Sequence, residues 1–280
     1  MLHLEEDGVG HEQSGGTDRE RQAAKGKTRL DVLLVERGLA ASRERARALI
    51  LAGRAMVNEQ KVDKPGAAVA ADAAVRLLGE DLKYVSRGGL KLEAALEAWG
   101  IAVEGRACVD VGASTGGFTD CLLQRGAARV TAVDTGFGQI AMKLRQDGRV
   151  RLRERTNARL LEAGELEEAD GPEATLLVMD VSFISATLVL GPVLEAAPGL
   201  KEAVILVKPQ FEAGRGKVGK GGIVRDEAAQ QAAVERVAEK VRELGWEVAG
   251  VMDSPIHGAE GNREFLLHAK RCCPEPQGVL

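Results

Sequence analysis

The spacing of hydrophobic and polar positions changes along the chain. The change predicts a small module near the start and a larger region of alternating strands and helices after it. Between Leu30 and Gly38 the apolar residues recur at helical spacing, and the glycine is a stop signal. Ser42 is a suitable N-cap for a second helix that runs to Ala52, before Gly53. Short apolar runs then flank a polar turn at residues 58–60, which indicates a hairpin. The pattern is typical of a small α+β module.

From about residue 89 onwards, short apolar runs that predict strands alternate with amphipathic runs that predict helices. The predicted strands are Ala107–Val111, Arg129–Val133, Val150–Glu154, Leu176–Met179, Ala203–Val207, Trp246–Met252 and Phe265–Lys270. Such alternation is typical of an α/β, Rossmann-like fold with a mostly parallel sheet and helices on both faces. The last connection is too short to hold a crossover helix, so we expect the seventh strand to run antiparallel to the sixth.

A glycine-rich segment, Asp110–Phe118, joins the first of these strands to a helix. Glycines let the backbone approach a ligand closely, although a plain strand-to-helix turn has the same appearance. The dinucleotide fingerprint needs a second glycine where this chain has Ser114, so a pyrophosphate is disfavoured. The second strand ends in Asp134, a position from which an acid typically binds ribose hydroxyls. These features favour S-adenosylmethionine over NAD. The predicted cofactor-binding residues are Asp110, Gly112, Ala113, Ser114, Thr115, Gly116, Gly117, Phe118, Asp134, Asn157 and Asp180.

Lysines and carboxylates also fall at the strand ends, where ligands of such sheets bind. Asp180 ends the fourth strand and Lys208 ends the fifth. Glu264 precedes the antiparallel last strand, which begins at the same edge, and Lys91 can enter from the preceding helix. These four residues are our candidate catalytic residues. The alternative is a structural cluster of ion pairs.

Arginines cluster near the start of the chain, where Arg43 and Arg47 share one helix face. The segment 29–64 is net basic in a protein whose net charge is −4. A local RNA-binding patch and an ordinary solvated helix face both fit this pattern.

Composition narrows the function classes further. The chain has 280 residues, of which 45% are hydrophobic, and none of its four cysteines forms a CxxC pair. Metal sites and disulfide frameworks are therefore not expected, and reduced thiols favour a cytoplasmic protein. No apolar run approaches the length of a membrane-spanning helix. Residues 1–27 lack the apolar core of a signal peptide, and we predict either a disordered extension or a start site assigned too early.

Specific motifs give the chain a family resemblance. The segment from Arg29 to Leu39 and the serine–arginine helix after it resemble the S4 RNA-binding module over Thr28 to about Leu78. Across the larger region the sequence resembles the TlyA family, which joins an S4 domain to an FtsJ-like ribose methyltransferase. The matching motifs are Ser86–Leu92, Asp110–Phe118, Asp180–Ser185, Lys208–Glu212 and Gly261–Phe265. The predicted division is an extension at 1–27, an S4 domain at 28–80, a linker at 81–88, a methyltransferase domain at 89–271 and a tail at 272–280.

The resemblance implies methylation of the 2′-hydroxyl of a cytidine in ribosomal RNA, with S-adenosylmethionine as cofactor and no metal. It places a Lys-Asp-Lys-Glu tetrad on Lys91, Asp180, Lys208 and Glu264. In our interpretation Lys208 orients or deprotonates the hydroxyl, and Asp180 and Glu264 hold Lys208 and tune its charge. Lys91 contacts the nucleotide or stabilises charge on oxygen. The expected RNA-binding residues are Arg29, Arg43, Arg47, Lys61 and Arg87. One alternative is a ribosome-assembly factor with an inactive methyltransferase fold. Another is a membrane-active hemolysin, since some members of this family carry the name hemolysin.

Overall fold

The computed structural model describes residues 26–40, 42–78, 83–167, 171–214, 216, 218–219, 221–258 and 261–272. The predicted extension at 1–27 and the predicted tail at 272–280 fall outside these residues, apart from Gly26, Lys27 and Cys272. The chain divides into two compact units, Met1–Asp81 and Leu82–Leu280. Within the described part, no helix is both long and apolar enough to cross a membrane.

In its described residues, the first unit has two helices and five short strands. They are β1 (Lys27–Arg29), α1 (Leu30–Glu36), α2 (Arg43–Leu51), β2 (Ala55–Val57), β3 (Gln60–Val62), β4 (Ala68–Ala70) and β5 (Val75–Leu77). The order β3-β2-β5 makes an antiparallel sheet, and β1 pairs with β4. Both predicted helices and the hairpin are confirmed. Ser42 caps α2 by accepting a hydrogen bond from Arg45 N at 3.1 Å. Three-residue β1 and β4 are too short to show an alternating pattern in the sequence.

The second unit is an α/β layered fold. Its elements are α3 (Gly88–Ala98), β6 (Ala107–Val111), α4 (Gly117–Gln124), β7 (Arg129–Val133), α5 (Met142–Arg145), β8 (Val150–Arg153), β9 (Ala174–Met179), α6 (Thr187–Ala196), β10 (Glu202–Val207), α7 (Pro209–Glu212), α8 (Glu227–Glu243), β11 (Trp246–Asp253) and β12 (Phe265–Arg271). All seven predicted strands form one sheet in the order β11-β12-β10-β9-β6-β7-β8. The predicted antiparallel seventh strand is confirmed, because β12 runs antiparallel to both β10 and β11.

The strand order determines where a ligand can bind. From β6 the chain builds outward through β7 and β8, and it then returns to place β9 on the other side of β6. This reversal is a topological switch point, where the loops after β6 and β9 separate and leave a crevice. Two clusters of buried apolar side chains cover the two faces of the sheet and hold its strands in register. The crevice therefore lies at the edge of a sheet whose two faces are covered by buried side chains.

Candidate active site

The glycine loop after β6 comes very close to the end of β9. Gly112 has a φ of 86°, a left-handed conformation that favours glycine. A Cβ at this position would overlap the carbonyl oxygen of Asp180. The Gly112 N–H donates to Val133 O at 2.8 Å, which ties the loop to the end of β7. The sequence needs glycine here so that the ends of three strands can converge.

Asp134 holds the loop from the other side. Its carboxylate accepts hydrogen bonds from Ser114 N at 2.8 Å and from Gly136 N at 2.6 Å. A carboxylate has about four lone-pair sites, so these two bonds leave acceptor capacity for hydroxyl donors. Asp134 lines a cleft of about 520 Å³ together with Ser114, Asn157 and Asp180.

The chemistry of this cleft suits a positively charged nucleoside better than a pyrophosphate. Two carboxylates, Asp134 and Asp180, line it, and among the described lining residues Arg159 carries the only cationic side chain. Carboxylates repel phosphate and attract a sulfonium. The residues present therefore fit S-adenosylmethionine. Asp134 would hold its ribose, and Asn157 and the glycine loop would hold the rest.

Asp110, in β6, lies beneath the loop and does not line the cleft. Its side chain is fully buried, and its Oδ2 accepts a hydrogen bond from Thr119 Oγ1 at 2.6 Å. Among the described residues, no donor bonds to Asp110 Oδ1. Burial raises the pKa of Asp110 to about 7, and the Thr119 hydroxyl acts in the opposite direction. Asp110 supports the loop from the interior of the sheet.

A smaller hollow of about 240 Å³ adjoins the cleft and shares Gly112, Ser114 and Asp180 with it. The remaining predicted loop residues that line this hollow are Ala113, Thr115, Gly117 and Phe118. Lys91, Arg87 and His257 line its other side. Asp180 therefore lies where the two hollows meet, and cationic groups are concentrated in the smaller one.

Lys208 lies at the end of β10, with its ammonium group held between two acceptors. Its Nζ is 2.6 Å from Asp180 Oδ1 and donates a hydrogen bond to Ser182 Oγ at 2.7 Å. The lysine residue is only 9% exposed. Because Asp180 and Ser182 leave β9 on the loop next to β10, parallel pairing of these strands brings the three side chains together.

The second half of the predicted tetrad forms a separate ion pair. Lys91 Nζ lies 2.5 Å from Glu264 Oε2, and both residues are buried. The interpretation in which Glu264 holds Lys208 differs from this geometry, since Glu264 pairs with Lys91. The reason is that α3 packs against β12, which brings the lysine of the first helical turn next to the residue preceding that strand.

Sequence reasoning missed two polar residues of this edge, Ser182 and His257. Ser182 is the second acceptor for Lys208, and His257 lines the smaller hollow. Histidine in a polar loop is common, so His257 gave no specific signal. Ser182 could have been identified from its position in the motif Asp180–Ser185, two residues after a strand-end aspartate.

The first unit carries its basic surface around one buried acid. Asp31, in the first turn of α1, is 0% exposed and accepts two hydrogen bonds from Arg29, both at 2.9 Å. Arg43 from α2 reaches the same carboxylate at 3.3 Å. Hydrogen bonding from Arg29, aided by Arg43, lowers the pKa of Asp31 to about 2. The side chains of Arg29 and Arg43 are 53% and 60% exposed, so both cations face solvent while they share the buried carboxylate of Asp31.

The other predicted RNA-binding residues of this unit are also exposed. Arg47 lies one helical turn beyond Arg43 on α2. Lys61, in β3, crosses over Gly53, where a Cβ would overlap the lysine side chain. The structure therefore gathers Arg29 and Arg43 at one point. Arg87 belongs to the second unit and lines the smaller hollow there.

Comparison with known proteins gives matches to both units. The FtsJ-like methyltransferase family matches residues 84–271, and the S4 domain family matches residues 28–75. The 16S/23S rRNA (cytidine-2′-O)-methyltransferase TlyA of Mycobacterium tuberculosis (strain CDC 1551 / Oshkosh) is 48% identical over 86% of this chain and 89% of the relative. Hemolysin A of Brachyspira hyodysenteriae is 41% identical over 86% of this chain and 98% of the relative. A solved Streptococcus thermophilus structure, described as that of a hemolysin candidate, is 43% identical with a TM-score of 0.66, covering 89% of this chain and 90% of the other.

Proposed function

The chain belongs to the TlyA family, which joins an S4 domain to an FtsJ-like methyltransferase domain. From this premise we propose that the protein methylates the 2′-hydroxyl of a cytidine in ribosomal RNA. The methyl donor is S-adenosylmethionine, bound between the glycine loop and Asp134. The assignment of cytidine follows the activity in the name of the Mycobacterium relative.

The observation that carries this proposal is that the ammonium of Lys208 lies against Asp180 and Ser182, which both line the cleft that the glycine loop also lines. A lysine ammonium has three N–H donors; here one donates to Ser182 Oγ, and the ammonium also forms an ion pair with Asp180. A remaining N–H can orient the oxygen of a substrate hydroxyl. Bound S-adenosylmethionine would supply an electrophilic methyl group and leave as S-adenosylhomocysteine when its S–C bond breaks. As the hydroxyl oxygen bonds to the methyl carbon, Lys208 would pass one ammonium proton to the Asp180 carboxylate and accept the hydroxyl proton in its place.

Lys91 and Glu264 have a supporting part in the proposal. Lys91 lines the smaller hollow and is held by Glu264, so its charge is fixed at the place where the target nucleotide would enter. There it contacts the nucleotide and stabilises charge that develops on oxygen. A buried cation without its partner would be costly, which explains why the lysine and the glutamate occur together.

RNA binding is assigned to the first unit and to Arg87. Arg29, Arg43, Arg47 and Lys61 would contact phosphates, which position a protein on RNA without reading its sequence. Such a substrate also fits the cytoplasmic location expected from the thiols.

Transfer of an isotope-labelled methyl group from S-adenosylmethionine to purified 16S and 23S rRNA tests this function. We expect 2′-O-methylcytidine as the labelled nucleoside, identified by mass spectrometry after complete digestion. A methyl group on a base would contradict the ribose assignment. Tight binding of both S-adenosylmethionine and rRNA with no transfer would favour the assembly-factor alternative.

A further inference from the structure

A buried carboxyl that the proposed chemistry does not use lies one short helix after Lys208. Glu212 ends α7, which begins directly after that lysine, and it is 3% exposed. Its Oε1 accepts a hydrogen bond from Ala186 N at 2.8 Å, and its Oε2 accepts one from Ser185 Oγ at 2.5 Å. Burial raises the pKa of Glu212, and these two donors act in the opposite direction.

The partners of Glu212 belong to the loop that carries the partners of Lys208. This loop, residues 180–186, runs from the end of β9 to the start of α6. Lys208 contacts its first half through Asp180 and Ser182, and Glu212 contacts its second half. The rings of Phe183 and Phe211 add a third contact, with their centroids 5.4 Å apart. One five-residue segment, 208–212, thus contacts both halves of the loop.

We infer that Glu212 is a positioning residue for methyl transfer, because it fixes the loop that presents Asp180 and Ser182 to Lys208. The inference rests on the proposed function. The plain structural role, a carboxylate that caps the N-terminus of α6, accounts for the bond to Ala186 N. It does not account for the placement of Glu212 in the same short segment as Lys208, four residues after it.

The loop also shows backbone strain that needs such a restraint. Phe183 has a φ of 65° and is 92% exposed, so its own packing holds it weakly. A left-handed conformation is unfavourable for a residue with a bulky side chain and persists only where the surroundings enforce it. The two bonds of Glu212 follow directly after this position. Their loss would let the loop relax and would move Ser182 and Asp180 away from Lys208.

The test measures single-turnover methyl transfer at saturating rRNA and S-adenosylmethionine for Glu212→Ala and Glu212→Gln. A misplacement of about 1 Å at a reacting centre can cost about 10²-fold in rate, so we expect Glu212→Ala to lose about 10- to 100-fold. Glu212→Gln should be intermediate, since its amide oxygen can still accept one of the two bonds. Ser185→Ala should resemble Glu212→Gln.

Asp226→Ala is the matched control. Asp226 caps α8 by accepting a hydrogen bond from Ala228 N at 3.0 Å, so its loss removes a helix-capping carboxylate away from the loop. We expect this variant to lower the melting temperature and leave the rate unchanged. Hydrogen exchange in residues 180–186 should rise in Glu212→Ala and stay at the wild-type level in Asp226→Ala.

A wild-type rate in Glu212→Ala, with a lowered melting temperature, would overturn the positioning role. If Glu212→Ala does not fold, a wild-type rate in both Glu212→Gln and Ser185→Ala would overturn it equally. Failure of the proposed function is distinct, because wild-type protein would then transfer no methyl group to rRNA.

Discussion

Asp31 in the first unit and Asp110 in the second are both completely buried, and their environments shift the pKa in opposite directions. Asp31 in the S4 unit receives bonds from two arginines, and its pKa falls to about 2. Asp110 in the methyltransferase unit receives a bond from a neutral hydroxyl, and its pKa rises to about 7. Both carboxyls are inaccessible to solvent, but Asp110 lies inside the sheet, whereas Asp31 lies beneath the half-exposed side chains of Arg29 and Arg43. Deep burial therefore dominates at Asp110, and the charge of the partners dominates at Asp31.

The difference reflects two uses of charge. The S4 unit buries an anion so that two cations stay ordered at the surface, a suitable arrangement for a polyanion. The methyltransferase unit buries Lys91 and Lys208 at the edge of the sheet, each paired with a carboxylate. Exposed charges provide affinity that salt screens, whereas enclosed charges act on reacting atoms at close range. We therefore expect variants of the S4 unit to change RNA affinity and variants of the strand edge to change the rate.

The largest effect is expected from Lys208→Ala. Loss of a general acid–base group typically costs about 10²–10⁴-fold in rate, and we expect that loss in single-turnover methyl transfer, with RNA affinity unchanged. Lys208→Arg should recover little, because a guanidinium stays protonated and has a different donor geometry. Lys201→Ala, an exposed lysine immediately before β10, is the control and should keep the wild-type rate. A rate within a few-fold of wild type for Lys208→Ala would refute its role.

Asp134→Ala should have the next largest effect, on the cofactor. The variant loses the proposed ribose acceptor and two bonds that hold the loop. Hydrogen bonds to a charged group contribute about 1.5–3 kcal/mol each, so calorimetric affinity for S-adenosylmethionine should fall by about 10- to 100-fold. Asp134→Asn should lie between alanine and wild type. Unchanged affinity, or binding of NAD, would contradict the assignment of the cleft.

Asp110→Asn should alter how stability depends on pH. The folded pKa of Asp110 is raised, so its contribution is fully present below the unfolded value near 4 and is lost as pH rises to about 7. The asparagine variant lacks this loss. Its stability relative to wild type, from urea unfolding, should therefore increase between pH 5 and pH 8. A constant difference across that range would mean that Asp110 stays ionised.

Asp31→Asn should show the opposite sign and a smaller effect, since its partners are half exposed to solvent. The folded pKa is lowered, so the contribution is present above the unfolded value near 4 and is lost as pH falls towards 2. The destabilisation of the variant should therefore shrink between pH 5 and pH 2. Asp63→Asn, a change at an exposed acid of the same unit, should show little dependence. A cost that persists at pH 2 would contradict the ion-pair explanation.

Part of the site could be predicted from the sequence because topology determines it. Asp180, Lys208 and Glu264 meet at one edge because parallel strands end there and an antiparallel strand begins there. Which lysine pairs with which acid depends on how α3 packs against β12, and hydrophobic periodicity does not encode that contact.

The loop after β9 also depends on a contact between distant parts of the sequence, which the local pattern does not show. The apolar run predicts a helix over Ile184–Leu194, but α6 begins at Thr187. Glu212, from a distant part of the sequence, bonds to Ser185 and Ala186 and holds the residues before the helix as a loop. The arginine cluster around Asp31 was also only partly predictable, since it depends on β1, α1 and α2 meeting in space.

The central claim is that the S4 unit provides RNA affinity and the methyltransferase unit carries out the chemical step. The most direct test measures how the single-turnover rate of the double variant Arg43→Ala with Arg47→Ala depends on RNA concentration. We predict a wild-type plateau at saturating rRNA, reached at a higher RNA concentration and with a shallower salt dependence, because fewer counterions are released. A lowered plateau with an unchanged half-saturating concentration would contradict the account, since the S4 arginines would then act on the chemical step.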